Sequence, residues 1–307
     1  MSGPTYLQTM VQWLRAPALL STGIAVLASG LLYFKQNDVI YPRNIPENAR
    51  TEVPKPHQFK IEHSEELSLR TPDEVNLHAF LIRPNAQHAR NITIISFHGN
   101  AGNIGHRLPI AKVLSEDLGC NVLFVEYRGY GYSSGEPNEK GLGIDAQTAL
   151  DYVRNRKDLR DTKIIIYGQS LGGAVAIGLV GKNQSQGDIA GLILENTFMS
   201  IRTLIPSVLP PAKYLTLLCH QLWPSNDVIP TIKKVPILFL SGLQDEIVPA
   251  SHMKGLYDAC VAEKKIWKAF PEGSHNDTIA EPGYFDAIED FIVNEVLDEG
   301  EKSKSAL

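Results

Sequence analysis

The stretch Lys163-Ile-Ile-Ile-Tyr-Gly-Gln-Ser170-Leu-Gly-Gly-Ala174 constrains this chain more than any other. A β-branched apolar run enters a glycine-flanked serine and leaves as an alanine-rich, helix-forming run. That is the sequence form of a strand, a sharp turn and a helix. The spacing Gly168-x-Ser170-x-Gly172 has a mechanical reason: a serine at such an apex holds a strained backbone, and the residues two before and two after it come too close to neighbours for a β-carbon. Its hydroxyl then stands clear of the sheet beside a helix N-terminus, where free N–H groups and the helix dipole favour developing negative charge. Such a serine suits nucleophilic attack, and attack requires a base, an acid to orient it and two oxyanion donors elsewhere in the chain.

The texture around this turn predicts a layered α/β body. Short, continuously apolar runs at 92–97, 122–125, 164–167, 192–194 and 237–240 alternate with helical patterns at 104–118, 144–154, 171–180, 251–261 and 280–297. Alternating patterns at 59–62, 67–69 and 77–82, with the turn Thr71-Pro-Asp-Glu before the last of them, add an antiparallel edge pair. With a last strand at 265–270, the expectation is a mostly parallel sheet of about eight strands with helices on both faces. The 307 residues, 43% of them hydrophobic, suffice for one large core.

The domain limits follow from shifts in composition. Residues 1–15 form an N-terminal segment, and residues 16–34 carry no charge between Arg15 and Lys35. That run is long enough for a transmembrane helix, and Trp13, Tyr33 and Phe34 fall where interfacial aromatics belong. A cleaved signal peptide ending near Ala28-Ser29-Gly30 is the competing reading. The uncleaved anchor is favoured, giving a single-pass protein of the endoplasmic reticulum or another endomembrane. Lys35, Arg43 and Arg50 after the span outnumber Arg15 before it, which points the body toward the cytosol. Residues 35–57 are polar and proline-bearing and read as a juxtamembrane linker. The body spans 58–297, and residues 298–307 are a polar tail.

Net charge and residue usage exclude several classes. A net charge of −5 without a Lys/Arg cluster argues against a nucleic-acid surface. Three scattered cysteines make no disulfide framework, and nine histidines without close pairing give no metal site; no cofactor is expected.

The remaining catalytic parts are sought after Ser170, in the order acid then base. The run 237–240 leads into Ser241-Gly-Leu-Gln-Asp245-Glu-Ile-Val-Pro249, which places Asp245 at the carboxyl end of a strand, where ligand-binding groups collect in open parallel sheets. Glu246 is the rival acid. The last strand feeds Pro271-Glu-Gly-Ser-His275, a loop histidine before the final helix. His252 and His220 are the alternatives, and His275 is favoured by its context. Phe97-His-Gly-Asn100 follows the first core strand, so the backbone N–H groups of Asn100 and Leu171 are the expected oxyanion donors. Gly141-Leu-Gly143-Ile-Asp-Ala146 fits a dinucleotide pattern but follows a charged loop instead of a strand. Gly129-Tyr-Gly131-Tyr-Ser-Ser-Gly135 lacks the Lys-Ser/Thr of a phosphate loop. Residues 198–234, rich in Leu, Ile and Pro, predict a small apolar cap or crossover, with Leu204, Ile205, Leu209 and Trp223 as candidate pocket residues.

With these residues in view, the chain from about Phe59 to Leu297 resembles the α/β-hydrolases, and within them the membrane-anchored abhydrolase-domain branch that includes the fungal bud-emergence homologues. Phe97-His-Gly-Asn-Ala-Gly-Asn-Ile-Gly-His106, Glu126-Tyr-Arg-Gly-Tyr-Gly131, Gly168-Gln-Ser-Leu-Gly-Gly173, Leu194-Glu-Asn-Thr-Phe198 and the Asp245 and His275 loops carry the resemblance. It implies a serine hydrolase with an N-terminal anchor, acting on lipid-like or acylated esters or thioesters. A non-catalytic scaffold for cell polarity or morphology, built on the same fold, is the alternative; all three triad members in their expected contexts weigh against it.

Overall fold

A computed structural model describes residues 19–297 apart from 21, 24, 25, 28 and 32. Eight strands form one sheet: β1 (Ser64–Arg70), β2 (Asn76–Ile82), β3 (Ile92–Phe97), β4 (Asn121–Val125), β5 (Lys163–Gln169), β6 (Ile189–Glu195), β7 (Ile237–Gly242) and β8 (Lys265–Phe270). Their order is β1-β2-β4-β3-β5-β6-β7-β8. β1 and β2 pair antiparallel, β2 meets β4 antiparallel, and every other pairing is parallel. The helices that flank the sheet and its loops include α1 (Leu108–Lys112), α2 (Glu139–Asn155), α3 (Leu171–Asn183), α4 (Ile201–Val208), α5 (Ala250–Ala259) and α6 (Tyr284–Phe291).

The strand alternation builds two separate cores, one on each face. In β7, Ile237 and Phe239 join Leu192, Leu194, Ala176 and Leu256, while Leu238 and Leu240 join Ile193, Tyr284, Ile288 and Phe291. Successive side chains point to opposite faces of a strand, so a centrally placed strand is largely apolar on both faces, with Thr93, Ser96 and Ser241 as the buried polar exceptions in β3 and β7. This is why β3 and β7 are buried throughout. Each large aliphatic side chain buried here contributes about 1.5–3 kcal/mol.

Several boundaries differ from the sequence reading. The pattern at 59–62 is not a strand; Pro56–Phe59 is a 3-10 turn that Lys60 closes at φ 59°. The helical pattern at 104–118 is a composite of 3-10 turn, α1 and a π-helical end at Val113–Asp117. Asn138 caps α2 earlier than the periodicity suggests, its side chain accepting from the Gly141 N–H at 2.8 Å. The dinucleotide-like glycines therefore lie inside a helix. Gly141 is there for space, because a β-carbon would come within 2.6 Å of the Arg128 side chain. Asn183 is buried at the end of α3 and bonds Gln147 and the Leu179 carbonyl.

The N-terminal expectations change most. Only part of the 16–34 span lies among the described residues, and among those no helix is long and apolar enough to cross a membrane. Residues 1–15 and 298–307 lie outside the described residues. The stretch 35–57 is not a free linker. Tyr41, Ala49 and Val53 are buried in the body. Asn103 donates to the carbonyls of Ala49 and Glu52, and the Asn100 amide donates to the Ile40 carbonyl. Residues 33–40 are helical, and Gln36 ties their end to the cap. It donates to the Leu218 carbonyl and accepts from the N–H groups of His220 and Gln221.

Gln36→Ala removes those partners at a cost of about 1–3 kcal/mol. Amide exchange at His220 and Gln221 should accelerate by at least roughly tenfold, while β5 and β7 keep their protection. Unaltered exchange at both amides would show that Gln36 does not hold the cap.

Candidate active site

The turn at Ser170 is built by exclusion. Ser170 sits at φ 53°, ψ −119°, between β5 and the first residue of α3. A β-carbon on Gly168 would lie 2.2 Å from the Gly172 carbonyl oxygen, and one on Gly172 would lie 2.0 Å from that of Phe97. Both positions therefore require glycine. The strained serine is pinned on both sides. Its N–H donates to the Glu195 carbonyl at 2.8 Å, and its carbonyl accepts from the Thr197 hydroxyl at 2.6 Å and the Gly173 N–H at 2.9 Å.

Three loops at the carboxyl end of the sheet bring their side chains together. His275, after β8, places Nε2 3.0 Å from the Ser170 Oγ and Nδ1 2.7 Å from Asp245 Oδ2. Asp245, after β7, is itself oriented: its Oδ1 accepts from the N–H groups of Ile247 at 2.9 Å and Val248 at 2.7 Å. All three side chains are buried. Glu246, the rival acid, instead accepts from the His275 backbone N–H at 3.2 Å. Of the rival histidines, His252 accepts from the Met199 N–H, and burial lowers its pKa; His220 is exposed on the cap.

The Phe97-His-Gly-Asn100 loop approaches from the other side. The backbone N–H groups of Asn100 and Leu171 have no acceptor among the described residues. Tyr130 donates to the Asn100 side-chain oxygen at 2.8 Å, so the glycine-rich 129–135 loop is a buttress for this turn. Gly129, Gly131 and Gly135 all take positive φ in it. His98 is buried against Tyr127 with Nε2 3.0 Å from Glu126, far from a base role.

A cavity of about 460 Å³ opens onto Ser170 and His275. Leu204, Ile205 and Leu209 line it, together with Val39 and Ile40 from the N-terminal segment. Trp223 does not. Its indole N–H donates to the Tyr41 hydroxyl at 3.0 Å, which turns the ring into the core and away from the cavity. A larger cleft of about 1130 Å³ lies over α2 and α3 and includes none of Ser170, Asp245 or His275 in its walls. Among the described residues no cluster could hold a metal ion, and all three cysteines are buried thiols.

Two residues beside the site escaped the sequence reading. Asn196, at φ 44°, donates to the carbonyls of Ser274 and His275 and to the Thr278 hydroxyl, and accepts from the Gly242 N–H at 2.8 Å. One side chain thus ties the acid loop to the base loop. Glu195 is fully buried and accepts from the hydroxyls of Tyr167 and Tyr284. Burial pushes its carboxyl above the ordinary glutamate value, with the tyrosine hydroxyls opposing. The only signal for either was the motif Leu194-Glu-Asn-Thr-Phe198, which periodicity leaves unexplained.

Asn196→Ala should slow labelling of Ser170 by a fluorophosphonate about 10- to 100-fold, as the His275 loop loses its tether, whereas equal rates would dismiss the tether. The sign for Glu195 is opposite to the usual carboxylate case. Its folded-state pKa is raised, so its contribution is complete below the unfolded value and is lost as pH rises through the folded one. Glu195→Gln should flatten the decline of Tm with rising pH; an unchanged slope would remove Glu195 as its source.

Comparison with known proteins adds to this geometry. Residues 88–233 match the family model described as Serine aminopeptidase, S33. Protein bem46 of Schizosaccharomyces pombe is 45% identical over 280 residues, covering 91% of this chain and 93% of its own. An uncharacterized membrane protein of Saccharomyces cerevisiae is 40% identical over 271 residues, 88% of this chain and 93% of the relative. Alpha/beta hydrolase domain-containing protein WAV2 of Arabidopsis thaliana is 38% identical, covering 83% and 86%. Among solved structures, an alpha-beta hydrolase from Vibrio vulnificus gives a TM-score of 0.66 at 20% identity over 82% of this chain and 91% of that one. The Pyrococcus furiosus esterase Pf2001 gives 0.63 at 19% over 79% and 96%. At those identities the likeness shows the fold.

Proposed function

The chain belongs to the α/β-hydrolase family alongside bem46 and WAV2, and from that premise we propose that it is a serine hydrolase of carboxylic esters or thioesters with an apolar acyl group. The observation that carries the reading is the unbroken hydrogen-bond line from Asp245 through His275 to Ser170, facing an apolar cavity. Ser170 Oγ attacks the acyl carbonyl as His275 Nε2 takes its proton. Asp245 holds the imidazole in the correct tautomer and stabilises its cation. The N–H groups of Asn100 and Leu171 receive the oxyanion, each contributing about 10²–10³ in rate. His275 returns the proton to the leaving alcohol or thiol. Water then takes the same path to release the acid and regenerate Ser170.

An ester or thioester is favoured over an aminopeptidase substrate by the cavity lining. A free amino terminus needs an anionic partner, and among the described residues no carboxylate lines this cavity. Leu204, Ile205 and Leu209 offer an acyl chain about 25 cal/mol per Å² of buried surface instead. An N-terminal anchor belongs to the same reading, supported by the uncharged stretch 16–34 and by the membrane designation of the yeast relative. An endomembrane location, with a lipid-like or acylated substrate reaching the cavity beside the N-terminal segment, completes it.

Full-length protein should react with a fluorophosphonate probe and hydrolyse medium-chain acyl esters. Ser170→Ala should abolish labelling and lower hydrolysis by at least roughly 10⁴-fold. Wild-type protein that neither labels nor hydrolyses any ester would defeat the hydrolase reading.

A further inference from the structure

Among the described residues, one charge in the cavity has no counterpart. Arg107, at the end of the turn Ile104–Arg107 that comes after the Asn100 loop, lines the cavity with Ser170 and His275. Every other neighbour in the lining is apolar or neutral apart from the titratable His275 and Cys219. The Arg107 Nη2 donates to the Ala101 carbonyl at 3.3 Å, while Nε is buried and has no hydrogen-bond partner among the described residues. Among the described residues no carboxylate forms an ion pair with this guanidinium. Its field reaches the buried Glu195, but that carboxyl is already engaged by Tyr167, Tyr284 and Gln169. The guanidinium is also close to the chemistry. A β-carbon placed on Gly99 would lie 3.6 Å from Ser170 Cβ and 3.9 Å from Arg107 Nη2.

A cation at a cavity wall with spare donors is an unmet demand for an anion. Resting on the serine-hydrolase reading, we propose that Arg107 is a specificity residue, and that the preferred substrate carries a phosphate or carboxylate on the alcohol or thiol side of the scissile carbonyl. The acyl chain gains nothing beside a guanidinium and fills the apolar end under Leu204 and Leu209. The anion therefore belongs to the other half of the substrate, a few bonds from the carbonyl. Asn276 also lines the cavity.

The test uses three esters with one acyl chain: decanoylglycerol, decanoylglycerol 3-phosphate and decanoylglycerate. Full-length wild-type protein should favour at least one anionic ester by roughly 10- to 100-fold in kcat/KM, with the difference mainly in KM. Whether the phosphate or the carboxylate leads identifies the anion. In Arg107→Gln that preference should collapse, and Arg107→Lys should restore part of it. Equal rates on all three esters in the wild type would overturn the assignment, and so would an Arg107→Gln variant that slows neutral and anionic esters in proportion. Fluorophosphonate labelling separates the two levels: labelled protein without anion preference loses only the Arg107 assignment, whereas unlabelled protein loses the hydrolase reading itself.

Discussion

Everything in the site depends on holding one serine in a backbone conformation it would not choose. A non-glycine residue at positive φ costs on the order of 1–3 kcal/mol, and Ser170 stays at 53° because its neighbours leave no alternative. β5 fixes one side, α3 the other, and Glu195 and Thr197 occupy its N–H and carbonyl. Each hydrogen bond offsets about 1 kcal/mol, so the strain is spread over the central strands. The glycines at 168 and 172 remove the atoms that would prevent the approach. A side chain held this way has few arrangements left to lose.

The same logic places the other parts. In a parallel sheet all carboxyl ends lie along one edge, so loops after β3, β5, β7 and β8 converge without long excursions. Convergence alone does not set distances to a few tenths of an ångström. Asn196, just past the end of β6 with a strained backbone of its own, bonds the last residue of β7 and the loop after β8 at once. On the opposite flank, the Asn100 and Asn103 side chains bind the loop after β3 to the N-terminal segment, and Tyr130 braces Asn100 from the 129–135 loop.

How much of this was legible in the sequence depends on range. The strand–turn–helix at Ser170 is a local pattern with steric causes, and Gly168 and Gly172 announce it. The order of Asp245 and His275 behind it, each on a loop after an apolar run, was equally readable, and the structure brings both to Ser170. The sheet emerged from continuous apolar runs because strands buried on both faces have no polar alternation to confuse them. What stayed hidden was long-range. Trp223 reads as a large apolar side chain on the cap, and only the Tyr41 hydroxyl, 182 positions away, explains why it turns inward. Residues 35–57 look polar because their side chains make the contacts that fasten them, so composition suggested a linker where the fold has a wall. Asn196 shows only as part of the motif Leu194-Glu-Asn-Thr-Phe198 and Arg107 carries no local signature, since their meaning lies in what surrounds them.

That wall has a practical consequence for anyone preparing the protein. Val39 and Ile40 face the cavity, and Gln36 closes the corner between them and the cap. Cutting the chain at residue 58, where composition places the start of the body, would take Val39 and Ile40 from one side of the chamber and the buried Tyr41, Ala49 and Val53 from the body. Such a fragment would present an altered cavity to any ligand, because solvent would replace one of its walls. Measurements on the cavity therefore call for protein that retains the segment from the helical turn at Gln36 onward.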